Sequence, residues 1–142
     1  MRRAGFVALV LGVAVLAVAP AFAAANNYHA NMTAQEEVPT PGPAGAKGTA
    51  TFVIDQDAGT VCYTLVYSGI SKPTMAHIHQ GAKGVAGPVV VDLNVAQNGD
   101  KGCVPADKAK LAAINGGPAG YYANVHTAEY PKGAIRGQLI TG

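Results

Sequence analysis

Serine is nearly absent from this chain. Its two occurrences, Ser68 and Ser71, lie in no Gly-x-Ser-x-Gly setting, so there is no nucleophile elbow for a hydrolase. Cysteine is limited to Cys62 and Cys103, with no Cys-x-x-Cys spacing, which argues against a thiolate metal site or a redox pair. Charge is scarce, at 13% of residues, and no lysine or arginine run occurs, so nucleic acid and anionic lipid surfaces are not expected partners. No phosphate-cradling glycine motif follows a strand and opens a helix.

The one long apolar run lies at the start. Met1-Arg2-Arg3 is a short basic segment, residues 6–19 are apolar apart from Gly12, Pro20 ends the run, and Ala21-Phe22-Ala23 has the small-x-small pattern of a cleavage site. This order of regions is that of a secretory signal peptide over residues 1–23, leaving a single domain over 24–142. The alternative is an uncleaved anchor of roughly 20 residues. Cleavage is favoured by the placement of Pro20 and the Ala-x-Ala pattern, and no membrane span is expected to remain after it. Losing Arg2 and Arg3 leaves eight basic and eight acidic residues, so the formal charge of +2 falls to zero. The expected location is the periplasm or the exterior. In that oxidising setting Cys62 and Cys103 are expected to pair.

Beyond residue 24 the chain is rich in glycine, proline, threonine and valine, with short apolar runs between turn residues. That is the pattern of an antiparallel β-sandwich or barrel. Strands are expected at 28–34, 48–54, 61–68, 75–79, 89–94, 121–126 and 134–140. A hairpin turn is expected at 55–59, and an ordered loop at 38–47, where three prolines and two glycines rule out a central strand. One helix is expected, over 105–114, stopped by Asn115-Gly116-Gly117. Alternation places Ala50, Phe52 and Ile54 on one face of their strand and Val61, Tyr63, Leu65 and Tyr67 on one face of the next.

Three histidines fall in two short segments. His77 and His79, two apart on a strand, share a face, while Ile78 points to the core. His126 comes from a second strand, with Asn124 on its face. Such a trio can hold zinc or copper with an open position, with Asn124 orienting a ring from behind. The bland alternative is that these histidines satisfy loop carbonyls. His29 is isolated and reads as structural. Met32 and Met75 could serve as soft ligands for Cu(I), although burial is the commoner fate of methionine.

The string Ala76-His77-Ile78-His79-Gln80-Gly81, followed by Gly84 and Gly87-Pro88-Val89-Val90, resembles the core motif of the CHRD domain, the repeat named from chordin. Residues 122–127 (Tyr-Ala-Asn-Val-His-Thr) and 131–139 (Pro-Lys-Gly-Ala-Ile-Arg-Gly-Gln-Leu) resemble its closing motif, and Glu36-Glu37-Val38-Pro39 its opening one. The family often has glutamate before the Ile-Arg pair, where this chain has Ala134, so a role for that carboxylate is absent here. The resemblance is to stand-alone exported bacterial members. It implies an immunoglobulin-like or Cu,Zn-superoxide-dismutase-like sandwich; it does not imply a known enzyme activity. Three functions stay open: a copper- or zinc-binding protein using His77, His79 and His126; a module that engages another extracytoplasmic protein or the envelope; and a dismutase-like enzyme. The last is the weakest, because a binuclear site needs more ligands than these histidines supply. Arg136 lies opposite Ile135 and Leu139 on the last strand and is expected to hold loop carbonyls or a carboxylate.

Overall fold

A computed structural model describes residues 25–142; the expected signal peptide and its cleavage site lie outside the described residues. The protein is all-β and antiparallel. Among the described residues nine strands occur: β1 (Asn26–Thr33), β2 (Lys47–Asp55), β3 (Thr60–Ser68), β4 (Met75–Gln80), β5 (Val89–Asp92), β6 (Lys101–Pro105), β7 (Tyr121–His126), β8 (Ile135–Gln138) and β9 (Ile140–Thr141). They form one sheet in the order β5-β4-β7-β8-β1-β2-β3-β6, with β9 beside β1. The sheet wraps around a single core and nearly closes on itself. Strands from both of its halves feed that core, including Phe52, Val61 and Leu65 from one and Ile78, Ala123 and Val125 from the other. The β1–β8 junction is close: a Cβ on Gly137 would lie 2.1 Å from the Asn31 carbonyl oxygen, so only glycine lets these strands meet.

The β2–β3 hairpin follows the alternation of its sequence. Ala50, Phe52, Ile54, Val61, Tyr63 and Leu65 are buried, while Tyr67 is half-buried at the strand end. Its turn is closed by the Ala58 amide donating to Asp55 Oδ1 at 2.8 Å, with Gly59 at a φ of +71°. Cys62 and Cys103 face each other across β3 and β6 and form the disulfide.

Several elements differ from expectation. Pro105 ends β6 instead of opening a helix. The helix α2 covers Lys108–Gly116, because the Asp107 side chain accepts from the Ala109 and Lys110 amides and so sets its start. A one-turn helix α1 (Val95–Asn98) and the strand β6 were not foreseen. The expected 89–94 strand stops at Asp92, since Asn94 adopts a φ of +52° ahead of α1. The expected final strand divides into β8 and β9 around Leu139, whose amide bonds to the Tyr121 carbonyl. No helix among the described residues is long and apolar enough to cross a membrane.

Candidate metal centre

Strands β4 and β7 are central in their half of the sheet and are buried on both faces. In β4, Ala76 and Ile78 enter the core while His77 and His79 face the other way; all six residues of β7 are buried. The second face is covered by two loops, 81–88 after β4 and 127–134 after β7. Register aligns the side chains of this face in three rows. Met75 lies opposite His126. Asp92, His77, Asn124 and Arg136 form the next row. Val89, His79, Tyr122 and Gln138 form the third. His126 is the diagonal neighbour of His77 across β4 and β7, and His79 follows His77 two residues on along the same face, so the three rings are within reach of one another.

They converge closely. One ligand nitrogen from each of His77, His79 and His126 lies within 4.8 Å of the others. His77 Nδ1 and His126 Nε2 are 3.2 Å apart. Two nitrogens of a tetrahedral ion at about 2.1 Å would be about 3.4 Å apart, so this pair is already spaced as an edge of such a site, and the widest pair would close by up to about 1.4 Å.

The loops fix the tautomers. His126 Nδ1 is 3.0 Å from the Pro131 carbonyl oxygen and His79 Nδ1 is 2.9 Å from that of Gly87. A carbonyl only accepts, so both rings donate from Nδ1, and Nε2 of each neutral ring keeps a lone pair. His126 Nε2 receives the N–H of His77 Nδ1 and sits 3.1 Å from Asn124 Oδ1. His79 Nε2 is buried and has no hydrogen-bond partner. Backbone carbonyls behind two rings, with their lone pairs turned toward a third ring, make the arrangement of metal-ligating histidines. Burial first, then the neighbouring His126 and His79, pulls the His77 imidazole down to about 4, against the opposing effects of Asp92 and Asn124. Burial also lowers His126, against the Pro131 hydrogen bond. Both rings are therefore neutral at pH 7, the state in which imidazole binds metals.

Arg136 lies beside this cluster and is 1% exposed. It donates from Nη1 to the Val85 carbonyl and from Nη2 to the Ala82 carbonyl, each at 2.9 Å, and covers the Tyr122 ring at 3.4 Å from its centroid. Tyr122 in turn stacks on His79 with the planes 8° apart, and its hydroxyl accepts from the Gly87 amide at 3.1 Å. The loop carbonyls expected of Arg136 are thus present. His29 is half-buried on the far strand β1 and Met32 is buried in the core. Neither belongs to the cluster. Two participants went unread in the sequence. Tyr122 joins Arg136 to His79. Glu37, 4% exposed, brings a carboxylate into the interior near Arg136, and its pKa rises to about 7 because burial outweighs the Arg136 charge and the Val38 N–H. Strand register reveals the role of Tyr122, and the charge of Arg136, far along the chain, that of Glu37.

The sequence profile of the CHRD domain matches residues 28–139. This chain belongs to the CHRD domain family. The matched segment begins in β1, ends just after β8, and contains every residue of the histidine cluster and its clamps. No curated protein and no solved structure matches the chain.

Proposed function

We propose that this CHRD protein is an exported metal-binding protein whose site is formed by His77, His79 and His126. The observation that carries the reading is His79 Nε2, a buried lone pair without a partner, set beside two other imidazoles with its own Nδ1 tied to a loop carbonyl. Leaving a buried acceptor unsatisfied costs about 1–3 kcal/mol, and a cation at this point would remove that cost. The donors are neutral imidazoles, which suit Zn(II) and copper. An entering ion takes the place of the His77 N–H, and His77 carries its hydrogen on Nε2 instead. Export is supported by the disulfide and by the basic, apolar and Ala-x-Ala order of residues 1–23. No catalytic step is assigned: the reading is of a binding protein.

The second reading is a loop-bracing role within an interaction module of the envelope. It is favoured by the bonds that His79 and His126 already make to Gly87 and Pro131. Calorimetric titration of Zn(II) and Cu(II) into metal-free protein, beside His77→Ala/His79→Ala, separates the two. One ion bound per chain, and lost in a variant that still folds, is the expected result. Equal binding by both proteins, or none by either, leaves the module reading in its place.

A further inference from the structure

Met75 is the one side chain on the covered face of β4 that reaches solvent, at 44% exposed. It shares that face with His77 and His79 by strand alternation, and its register partner on β7 is His126. A flexible thioether therefore stands at the mouth of the histidine cluster, opposite one of its rings. Packing accounts for less of Met75, at 44% exposed, than of Met32, which fills the core at 1%.

Charge points in the same direction. The three imidazoles and the thioether are neutral donors, and no thiolate or carboxylate joins the ligand set. A fixed cation, Arg136, is buried in the row of His77 and Asn124. Glu37 offsets it only when ionised. Asp92 faces His77 from β5, but it is exposed to screening water and its Oδ1 already accepts from the Asn94 amide at 2.8 Å. The cost of burying an ion grows with the square of its charge, so a divalent ion here costs about four times what a monovalent one does. Soft sulfur and imidazole donors with little negative charge favour a soft monovalent ion.

We propose that Met75 completes the tri-histidine set as a fourth donor and makes it a copper(I) site. This rests on the metal-binding reading above, and the test keeps the two apart. Cu(I) under anaerobic ascorbate, competed against a chromophoric Cu(I) chelator, and Zn(II), competed against a zinc indicator, are titrated into the full exported protein and into Met75→Leu. Met75 is partly exposed, so the variant keeps the fold, which far-UV circular dichroism checks. The expected result is one Cu(I) per chain with a sulfur shell in X-ray absorption. In Met75→Leu the sulfur shell disappears and the ratio of Cu(I) to Zn(II) affinity falls tenfold or more. An unchanged ratio with no sulfur shell in the wild type overturns the Met75 assignment and leaves the three histidines standing. Wild-type protein that takes Zn(II) but no Cu(I) also overturns it. Failure to bind either ion removes the metal-binding reading as well.

Discussion

Glu37→Gln tests the electrostatics of the interior directly. The carboxyl has an ordinary pKa near 4.5 in the unfolded chain and about 7 in the folded one, where burial dominates. The folded state therefore holds the proton more tightly. Its contribution to stability is complete below pH 4.5 and is lost as pH rises through 7. A difference of 2.5 pH units corresponds to about 3 kcal/mol. Glutamine has the same shape and no charge, so Glu37→Gln removes this slope whatever constant cost it adds. His77 contributes the opposite slope, because its depressed pKa favours the folded state above pH 6.5 and that advantage fades as pH falls toward 4. Both proteins share it, so it cancels in their difference. Urea unfolding of the two proteins at half-unit steps from pH 4 to 8 is the assay. The stability of the variant relative to wild type should rise by about 3 kcal/mol between pH 4.5 and 8, or about 10 °C in Tm for a domain of this size. Parallel curves across that range would refute the buried, proton-binding carboxylate.

Three further outcomes follow from the same geometry. Replacing both cysteines, as Cys62→Ser/Cys103→Ser, should cost about 4 kcal/mol in urea unfolding, because the bridge closes a loop across a sequence separation of 41 residues; intact mass before and after reduction and alkylation checks the bond itself. Arg136→Lys gives up the paired donation to Ala82 and Val85 and should lower stability by about 2 kcal/mol; unchanged stability with loss of an identified ligand would make the arginine a recognition residue instead. Gly87→Ala would put a Cβ 1.6 Å from the Gln80 carbonyl oxygen, forcing the loop off both His79 and Tyr122; calorimetry should then show metal affinity reduced about tenfold, with retained binding placing the loop outside the site.

Sequence alternation succeeded where one face of a strand is buried and the other wet. In the β2–β3 hairpin it identified the core side chains because only one parity is apolar. It placed His77 and His79 on a common face through the two-residue period of a strand alone, since both faces of β4 are buried. It was silent on whether that face was covered, because two loops cover it, and loops carry no periodicity. The short strand β6 has a single buried residue, Val104, and is held by Cys103 and by pairing to β3, so no local pattern announces it. The start of α2 was misplaced because Pro105 is as suited to a helix start as to a strand end, and the Asp107 cap decides between them. Met75 ran against the general tendency of methionine to be buried. Glu37 and Arg136 are 99 positions apart in the chain, and nothing in either segment shows that they share an interior.

The residues that carry the family resemblance also touch one another. Gly87 supplies a carbonyl to His79 and an amide to the Tyr122 hydroxyl, Tyr122 lies under Arg136, Arg136 grips the carbonyls of Ala82 and Val85, and Pro131 anchors His126. Gln138 adds a bond to the Gly81 carbonyl at 3.0 Å, so each end of the 81–88 loop is fixed to the sheet. A brace for loops explains the Nδ1 atom of His79 and of His126. It does not explain the far side of the rings. A loop clamp needs one polar atom per side chain, and a serine or threonine hydroxyl would supply it without burying a second. Here the second nitrogen of His79 is buried bare, and that of His126 is turned toward His77 and Asn124. An unsatisfied buried acceptor lowers stability by about 1–3 kcal/mol and offers the clamp nothing in return. The lone pairs become useful once an electron-poor centre stands between them, and the rigid loops then serve to hold the rings at the spacing such a centre requires.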